Sequence, residues 1–206
     1  HDPSAAGQKG AITMGYIGKD LDLQMTNMTQ TVQEMRARRS EAHYALQTGV
    51  RYSKQELVRA IRAHAEELLK GGRLHMTKEF IQHSDMSVFQ HCAHVAYISC
   101  VLCQKLHIRV SWDELIRGAL LHDYFLYDWH DRSASGGTRH AWYHPTQALL
   151  NAVQDYELTE KEMQIIKRHM WPVTIIPPTC REAWIVTTAD KLCTILEVFG
   201  LERVRL

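Results

Sequence analysis

The stretch from Gly118 to His130, GALLHDYFLYDWH, decides how this chain must fold, because it places an imidazole and a carboxylate inside an apolar helical pattern. Residues three or four apart share one face of a helix. His122 and Asp123 therefore continue the packing face begun by Trp112 and Ile116. A buried carboxylate without a compensating partner is strongly disfavoured. The pattern predicts that the fold supplies such a partner.

The same oddity recurs on four other segments of the chain. On each segment, an ionisable side chain lies about one turn from apolar residues of a predicted packing face. The ionisable residues are His91, His144, His169 and Asp190. Neutral imidazole and carboxylate groups are ligands that suit Zn, Mn, Fe or Ni. Together with the doublet they are enough to hold two ions, and Asp123 can bridge them through its two oxygens. Such a pair would lower the pKa of a bound water.

Helical signals run through the whole chain, whereas strand signals are poor. Capping boxes are predicted at SKQE from Ser53, SWDE from Ser111 and TEKE from Thr159. Pro145 suits a first helical position, which puts His144 at a helix cap. We predict an all-α fold, a helical bundle with a metal site in its core. The expected helices are 20–47, 54–70, 87–106, 112–126, a helix from Pro145, 160–170 and 181–199.

Length and composition limit the class of protein. A chain of 206 residues builds one substantial core. The net charge of +1 gives no support for a nucleic acid polymer or an anionic membrane as partner. No apolar run approaches the roughly 20 residues of a spanning helix, and no signal peptide is recognised. Three of the five cysteines lie in one apolar helical stretch, which favours reduced thiols in a cytoplasmic protein.

The chain is expected to have three parts. Residues 1–13 mix small and polar side chains without period and are interpreted as the remnant of an expression tag. Residues 14–50 are expected to form an N-terminal helical extension, and 51–206 the main domain. Cys100-x-x-Cys103 has the spacing of a zinc ribbon but lacks a second pair, so both are predicted to be core residues. Whether the chain is a monomer or a homodimer is left open.

His91, the His122–Asp123 doublet and Asp190 resemble the H…HD…D signature of the HD superfamily of metal-dependent phosphohydrolases. The resemblance covers roughly 85–195 and implies that 51–206 form an HD domain. SVFQHCAHVAYIS, LLHDYFLYDW, IIKRHMWP and TTADKLC are similar to segments of bacterial HD-domain proteins. The resemblance implies that His91, His122, Asp123 and Asp190 bind a first metal ion, and that His144 and His169 bind a second, as in dinuclear members.

The resemblance also implies a hydrolase acting on phosphate esters. The substrate would be a nucleotide or another small phosphorylated compound, a phosphomonoester or a phosphodiester, attacked by a metal-activated water. Asp123 and Lys191 would be catalytic, and the expected substrate contacts are Lys191, Arg139, His140 and Lys167. Two divalent metal ions are expected, and the ligand types do not distinguish among Fe, Mn, Mg, Zn and Ni. The chain lacks both the GYP element and the HDxxED run of two known subgroups, so no specific substrate is assigned.

Two other functions remain open from the sequence. HD-fold di-iron oxygenases use the same six ligands, and a metal-stabilised nucleotide-sensing module would need no catalysis. Several further residues have two interpretations. His83, His94 and His130 could support ligand histidines or lie on the surface, while Trp129, Trp142 and Trp171 could wall a pocket or pack in the core.

Overall fold

A computed structural model describes Gln30, Glu34 and residues 46–47, 49–83, 86–128 and 140–198. The predictions for 1–13 and for most of 14–50 lie outside these residues, although Gln30 and Glu34 are helical. Trp129, His130 and Arg139 also lie outside them, as does the side chain of His83. Contacts divide the chain into residues 1–43 and 44–206, and every element below belongs to the second unit. The boundary expected at residue 51 stays a prediction.

The described part of the chain is mostly helical, which confirms the predicted fold class. A short 3-10 helix (Leu74–Lys78) and a small antiparallel pair of strands complete it. The helices are α1 (Lys54–Gly71), α2 (Val88–Lys105), α3 (Trp112–Leu121), α4 (His140–Asp155), α5 (Glu160–Arg168) and α6 (Arg181–Val198), and the strands are β1 (Ile81–His83) and β2 (Met86–Ser87).

Helix α2 is the centre of the bundle. It packs against α3 and α6, while α5 packs against α3, α4 and α6. Helix α2 is apolar nearly all round, and it buries Val95, Ala96, Cys100 and Cys103. Both cysteines belong to the buried core and neither forms a disulfide, which confirms the prediction that both are core residues. No helix among the described residues is both long and apolar enough to cross a membrane.

Two of the three predicted capping boxes form. Ser53 and Thr159 each accept a hydrogen bond from a backbone N–H three residues on, and a Glu side chain accepts from the cap in return. Ser111 makes no side-chain capping bond, so the third box is wrong. Its backbone N–H donates instead to Glu182 at 3.0 Å, and Glu114 faces Lys161. Contacts from α5 and α6 therefore replace the local motif.

Helix α3 ends at Leu121, five residues before the predicted end at 126. The amide of Asn151 donates to the carbonyls of Tyr124, at 3.0 Å, and Phe125, at 2.9 Å. Leu126 then adopts a left-handed φ of 59°. Because a side chain of α4 holds these carbonyls, the chain turns immediately after the His–Asp doublet.

Helix α4 begins at His140 rather than at Pro145, so the predicted start is wrong. Proline lacks an N–H to donate to the preceding turn, yet here it is accommodated inside the helix. As a result His140 and His144 lie one turn apart on a single helix. Their rings stack with centroids 4.7 Å apart.

Candidate metal centre

The six predicted ligand residues meet in one buried cluster. They come from distant parts of the chain: α2, the C-terminal end of α3, α4, the residue after α5, and α6. All are buried, with residue exposures from 0 % to 7 %. The residues are His91, His122, Asp123, His144, His169 and Asp190. The fold thus brings together every metal ligand that the sequence predicts.

The carboxylate of Asp123 lies at the middle of the cluster and faces two pairs of histidines. Its Oδ1 is 3.2 Å from His144 Nε2 and 3.3 Å from His169 Nε2. Its Oδ2 is 3.5 Å from His122 Nε2 and 4.0 Å from His91 Nε2. Each carboxylate oxygen therefore serves a different set of imidazoles, which is the arrangement that a bridging carboxylate requires.

Asp190 completes the first of these two sets. Its Oδ1 lies 3.1 Å from His91 Nε2 and 3.7 Å from His122 Nε2. Ligand atoms bound at about 2.1 Å around a tetrahedral or octahedral ion lie about 3.0–3.4 Å from one another. The observed separations match these values or slightly exceed them. Two buried groups could hold a metal ion: His91, His122 and Asp123, and Asp123, His144 and His169.

Backbone carbonyls orient three of the imidazoles. His122 Nδ1 lies 2.8 Å from the carbonyl of Ala119, and His169 Nδ1 lies 2.8 Å from that of Ile166. His144 Nδ1 lies 3.1 Å from the carbonyl of its neighbour one turn earlier. Because a carbonyl can only accept, each Nδ1 carries the hydrogen, and in the neutral ring Nε2 then presents its lone pair to the cluster. This is the tautomer that binds metal through Nε2.

Two features of the cluster are unfavourable unless a cation is present. His144 Nε2 and His169 Nε2 are only 2.8 Å apart, although both nitrogens carry lone pairs in the tautomer described above. His122 Nε2 and Asp123 Oδ1 are buried and have no hydrogen-bond partner among the described atoms. Buried polar atoms are nearly always satisfied. Metal ions held by the two groups would together satisfy all four atoms, so the residues present fit such ions.

The electrostatics of the cluster keep both carboxylates ionised. Burial would raise the pKa of Asp123, but His122, His144 and His169 hold that pKa well below its ordinary value. Burial opposes ionisation of Asp190 in the same way, and His122 and His91 lower its pKa. The two ionised carboxylates need positive charge beside them, which a bound cation would supply in place of protonated histidines.

The histidines differ from one another in their electrostatic environment. Burial would lower the pKa of His91, but Asp190 and Glu197 outweigh it and raise the pKa to about 10. Burial lowers the pKa of His169 to about 4, so its ring is neutral near pH 7. A neutral ring is the form that binds a metal ion. A metal on His91 would have to displace a proton from it, so metal binding there depends on pH.

Sequence reasoning missed three supporting residues. Glu197 is buried and its Oε2 accepts from His91 Nδ1 at 2.9 Å. Since it follows Asp190 by two helical turns, the spacing on α6 could have revealed it. Gln82 donates to Asp123 Oδ2 at 2.9 Å from strand β1, where no sequence signal marks it. The amide of Asn151, described above, holds the turn after the doublet.

The predicted substrate contacts lie at different distances from the cluster. Lys191 is adjacent to it: its Nζ lies 3.6 Å from Asp190 Oδ2 and donates to the carbonyl of His169 at 2.9 Å. His140 stacks on His144, and its Nδ1 lies 3.0 Å from the hydroxyl of Tyr127.

Lys167 and Trp142 lie at the surface. The Nζ of Lys167 bonds to the hydroxyl of Thr146 at 2.8 Å in an exposed position. Trp142 is 53 % exposed, so it is not a core residue. Trp171 packs edge to face against Trp184, with ring centroids 4.9 Å apart.

His94 is buried, which excludes the surface alternative for this residue. Its Nδ1 lies 3.2 Å from Glu197 Oε1, so one glutamate serves both His91 and His94. His94, Cys193 and Glu197 form a further buried group that could hold a metal ion.

The fold and the cluster together define a helical protein with a buried histidine–carboxylate cluster that could bind metal ions. Comparisons with protein-family models, curated proteins and solved structures found no significant match.

Proposed function

We propose that this chain is a metal-dependent phosphohydrolase of the HD superfamily, acting on a nucleotide or another small phosphorylated compound. The observation that supports the proposal most directly is the carboxylate of Asp123, whose two oxygens face two different sets of imidazoles. The order of ligands along the chain, H…HD…H…H…D, is the order that the superfamily resemblance implies.

Two divalent ions would be held by these residues. His91, His122, Asp123 and Asp190 would hold one, and Asp123, His144 and His169 the other. When bound, such ions neutralise phosphate charge and lower the pKa of a coordinated water. The imidazole and carboxylate donors suit Fe, Mn, Zn or Ni, and carboxylate also suits Mg.

The exposure of the cluster indicates the side from which a substrate would approach. The side chains of His91 and His122 are fully buried, whereas those of His144 and Asp190 are 6 % and 10 % exposed. Lys191, next to Asp190, is 37 % exposed. The cluster is therefore most accessible from the side of Asp190 and Lys191, and we place the phosphate there.

Among the described residues, Lys191 is the best placed to bind the phosphate. Its ammonium is anchored by the carbonyl of His169 at 2.9 Å and remains partly open to solvent. A cation held in this way offsets the charge that builds up on phosphate oxygens in the transition state. His140, stacked on His144, is a second candidate contact on α4.

Asp123 is the catalytic carboxylate of the proposal, since it touches both sets of imidazoles. Burial opposes its ionised form, but His122, His144 and His169 lower its pKa and favour the carboxylate. The chain needs no nucleophilic serine or cysteine for this reaction, because water is the attacking group.

The test is the isosteric variant Asp123→Asn, with Asp128→Asn as the matched control from the exposed end of the same segment. Metal content is measured by elemental analysis of protein purified without chelator, and hydrolysis with a panel of phosphate monoesters and diesters under anaerobic conditions. We expect Asp123→Asn to lose the metal ions of this cluster and to lower hydrolysis by more than about 100-fold. The control should keep both.

Full metal content in Asp123→Asn would refute the assignment. Other results would replace the proposed reaction. Iron content with oxygen uptake on a polyol or phosphonate, and no hydrolysis, would make the chain an oxygenase. A nucleotide that binds tightly and is never consumed would make it a sensing module.

A further inference from the structure

A second group of ligand-type side chains lies one helical turn along from the cluster described above. His94 follows His91 by three residues on α2, and Cys193 and Glu197 follow Asp190 by three and seven residues on α6. All three side chains are buried, and their ligand atoms lie within 4.8 Å of one another. We call His94, Cys193 and Glu197 the α2–α6 cluster.

We propose that the α2–α6 cluster binds a metal ion of its own, a divalent ion of the zinc class. Imidazole, thiolate and carboxylate are the three side-chain ligands that zinc uses in proteins, and thiolate does not suit Mg²⁺ or Ca²⁺. Three protein ligands with one open position are an established form of zinc coordination. The α2–α6 cluster is thus chemically distinct from the neighbouring one, which holds only imidazoles and carboxylates.

The geometry of Glu197 allows it to serve both clusters at once. Its Oε2 accepts from His91 Nδ1 at 2.9 Å, while its Oε1 lies 3.2 Å from His94 Nδ1. Two ligand atoms on one tetrahedral ion are about 3.4 Å apart. One oxygen can therefore bind an ion with His94 and the other can keep the hydrogen bond that orients His91.

The two ring nitrogens of His94 have different surroundings. Nδ1 lies beside Glu197 Oε1, whereas Nε2 is buried and has no hydrogen-bond partner among the described atoms. An ion shared with Glu197 would therefore bind the ring through Nδ1, on the side of the ring that faces α6.

An ion at this place would join α2 to α6 immediately beside His91 and Asp190. These two residues lie 3.1 Å apart across the same pair of helices. The α2–α6 ion would thus fix the spacing of two residues of the neighbouring cluster. The inference does not depend on the proposed hydrolysis, because it rests on a separate set of ligands.

The thiolate gives the site a spectroscopic signature. The full chain is stripped of metal with a chelator and titrated with Co²⁺ alone. A cobalt ion bound by Cys193 should show a thiolate-to-metal charge-transfer band in the near ultraviolet, which imidazole and carboxylate ligands do not produce. Cys193→Ser should lose this band and about one bound ion per chain. His94→Gln should weaken cobalt binding at the same site, which keeps the test valid if Cys193→Ser does not fold.

Two variants separate this site from its neighbour. Cys92→Ser changes a different buried cysteine, which lies on α2, and should keep the band. Asp123→Asn disrupts the neighbouring cluster and should also keep it, so failure of the proposed function would leave this result unchanged. Circular dichroism checks that each variant is folded. The proposal is overturned if the wild type shows no band, if folded Cys193→Ser keeps it, or if Cys92→Ser loses it.

Discussion

Arg117 is a buried cation that joins α3 to α5, and we expect its replacement by methionine to destabilise the bundle strongly. Its Nε donates to Glu162 at 2.9 Å, and one of its terminal nitrogens lies 2.8 Å from Glu67. The side chains of Arg117 and Glu162 are only 4 % and 0 % exposed. The contact with Glu162 holds α3, which the His–Asp doublet follows, against the helix that precedes His169.

The magnitude follows from this burial. Removing one partner of a buried ion pair costs about 3–5 kcal/mol, because the remaining charge stays away from water. The contact with the exposed Glu67 adds at most about 1 kcal/mol. In a chain of this length each kcal/mol moves the melting temperature by about 2–4 °C. Arg117→Met should therefore lower it by about 6–24 °C.

The assay is urea denaturation followed by circular dichroism, together with calorimetry. The double variant Arg117→Met/Glu162→Gln should regain about half or more of the lost stability, since it removes the buried charge. The glutamine of this double variant keeps an oxygen for the backbone N–H of Thr159, which donates to Glu162 at 2.8 Å in the wild type. Arg62→Met, at an exposed position of α1, should change stability by less than about 0.5 kcal/mol. A loss below about 1 kcal/mol in Arg117→Met, or no recovery in the double variant, would refute the reasoning.

Three further outcomes are expected. Gly118→Ala should cost about 1–3 kcal/mol in urea denaturation, because its Cβ would lie 2.5 Å from Ile165 Cδ1, and Ile165→Val should restore part of the loss. Burial raises the pKa of Asp155, but hydrogen bonds, including that of the Arg73 guanidinium at 2.8 Å, lower the pKa overall. The ionised carboxylate therefore stabilises the folded state above the unfolded pKa of about 3.9. This contribution is lost as pH falls through the folded pKa. The stability difference between wild type and Asp155→Asn should accordingly shrink in acid, and a difference independent of pH would contradict this. Asn151→Ala should cost about 1–3 kcal/mol, since it leaves two carbonyls of the turn after the doublet without their donor, and an unchanged denaturation midpoint would count against that role.

Local signals predicted most of the helices because their causes are local. The capping boxes at Ser53 and Thr159 join groups three residues apart, so the sequence shows both partners. Helices α1, α2, α5 and α6 begin and end within two residues of the predicted positions. Gly71–Gly72 also stops α1 where the sequence indicated. Periodicity, caps and breakers suffice wherever one element sets its own limits.

The predictions failed where a distant residue competes with a local one. Ser111 has a capping sequence, but Glu182, on α6, takes its backbone N–H. The apolar pattern continues to residue 126, but Asn151, on α4, takes the carbonyls that would extend α3. Neither competitor can be read from the segment that it alters.

The sequence by itself determined the kind of residue at each position of the cluster and its place on an inward face of a helix. Tertiary structure alone decided that the oxygens of Asp123 face different histidine pairs, and that Glu197 lies between His91 and His94. The reason is physical. A helical period fixes the direction of a side chain about its own axis, whereas a separation of about 3 Å between atoms on different helices depends on how those helices pack.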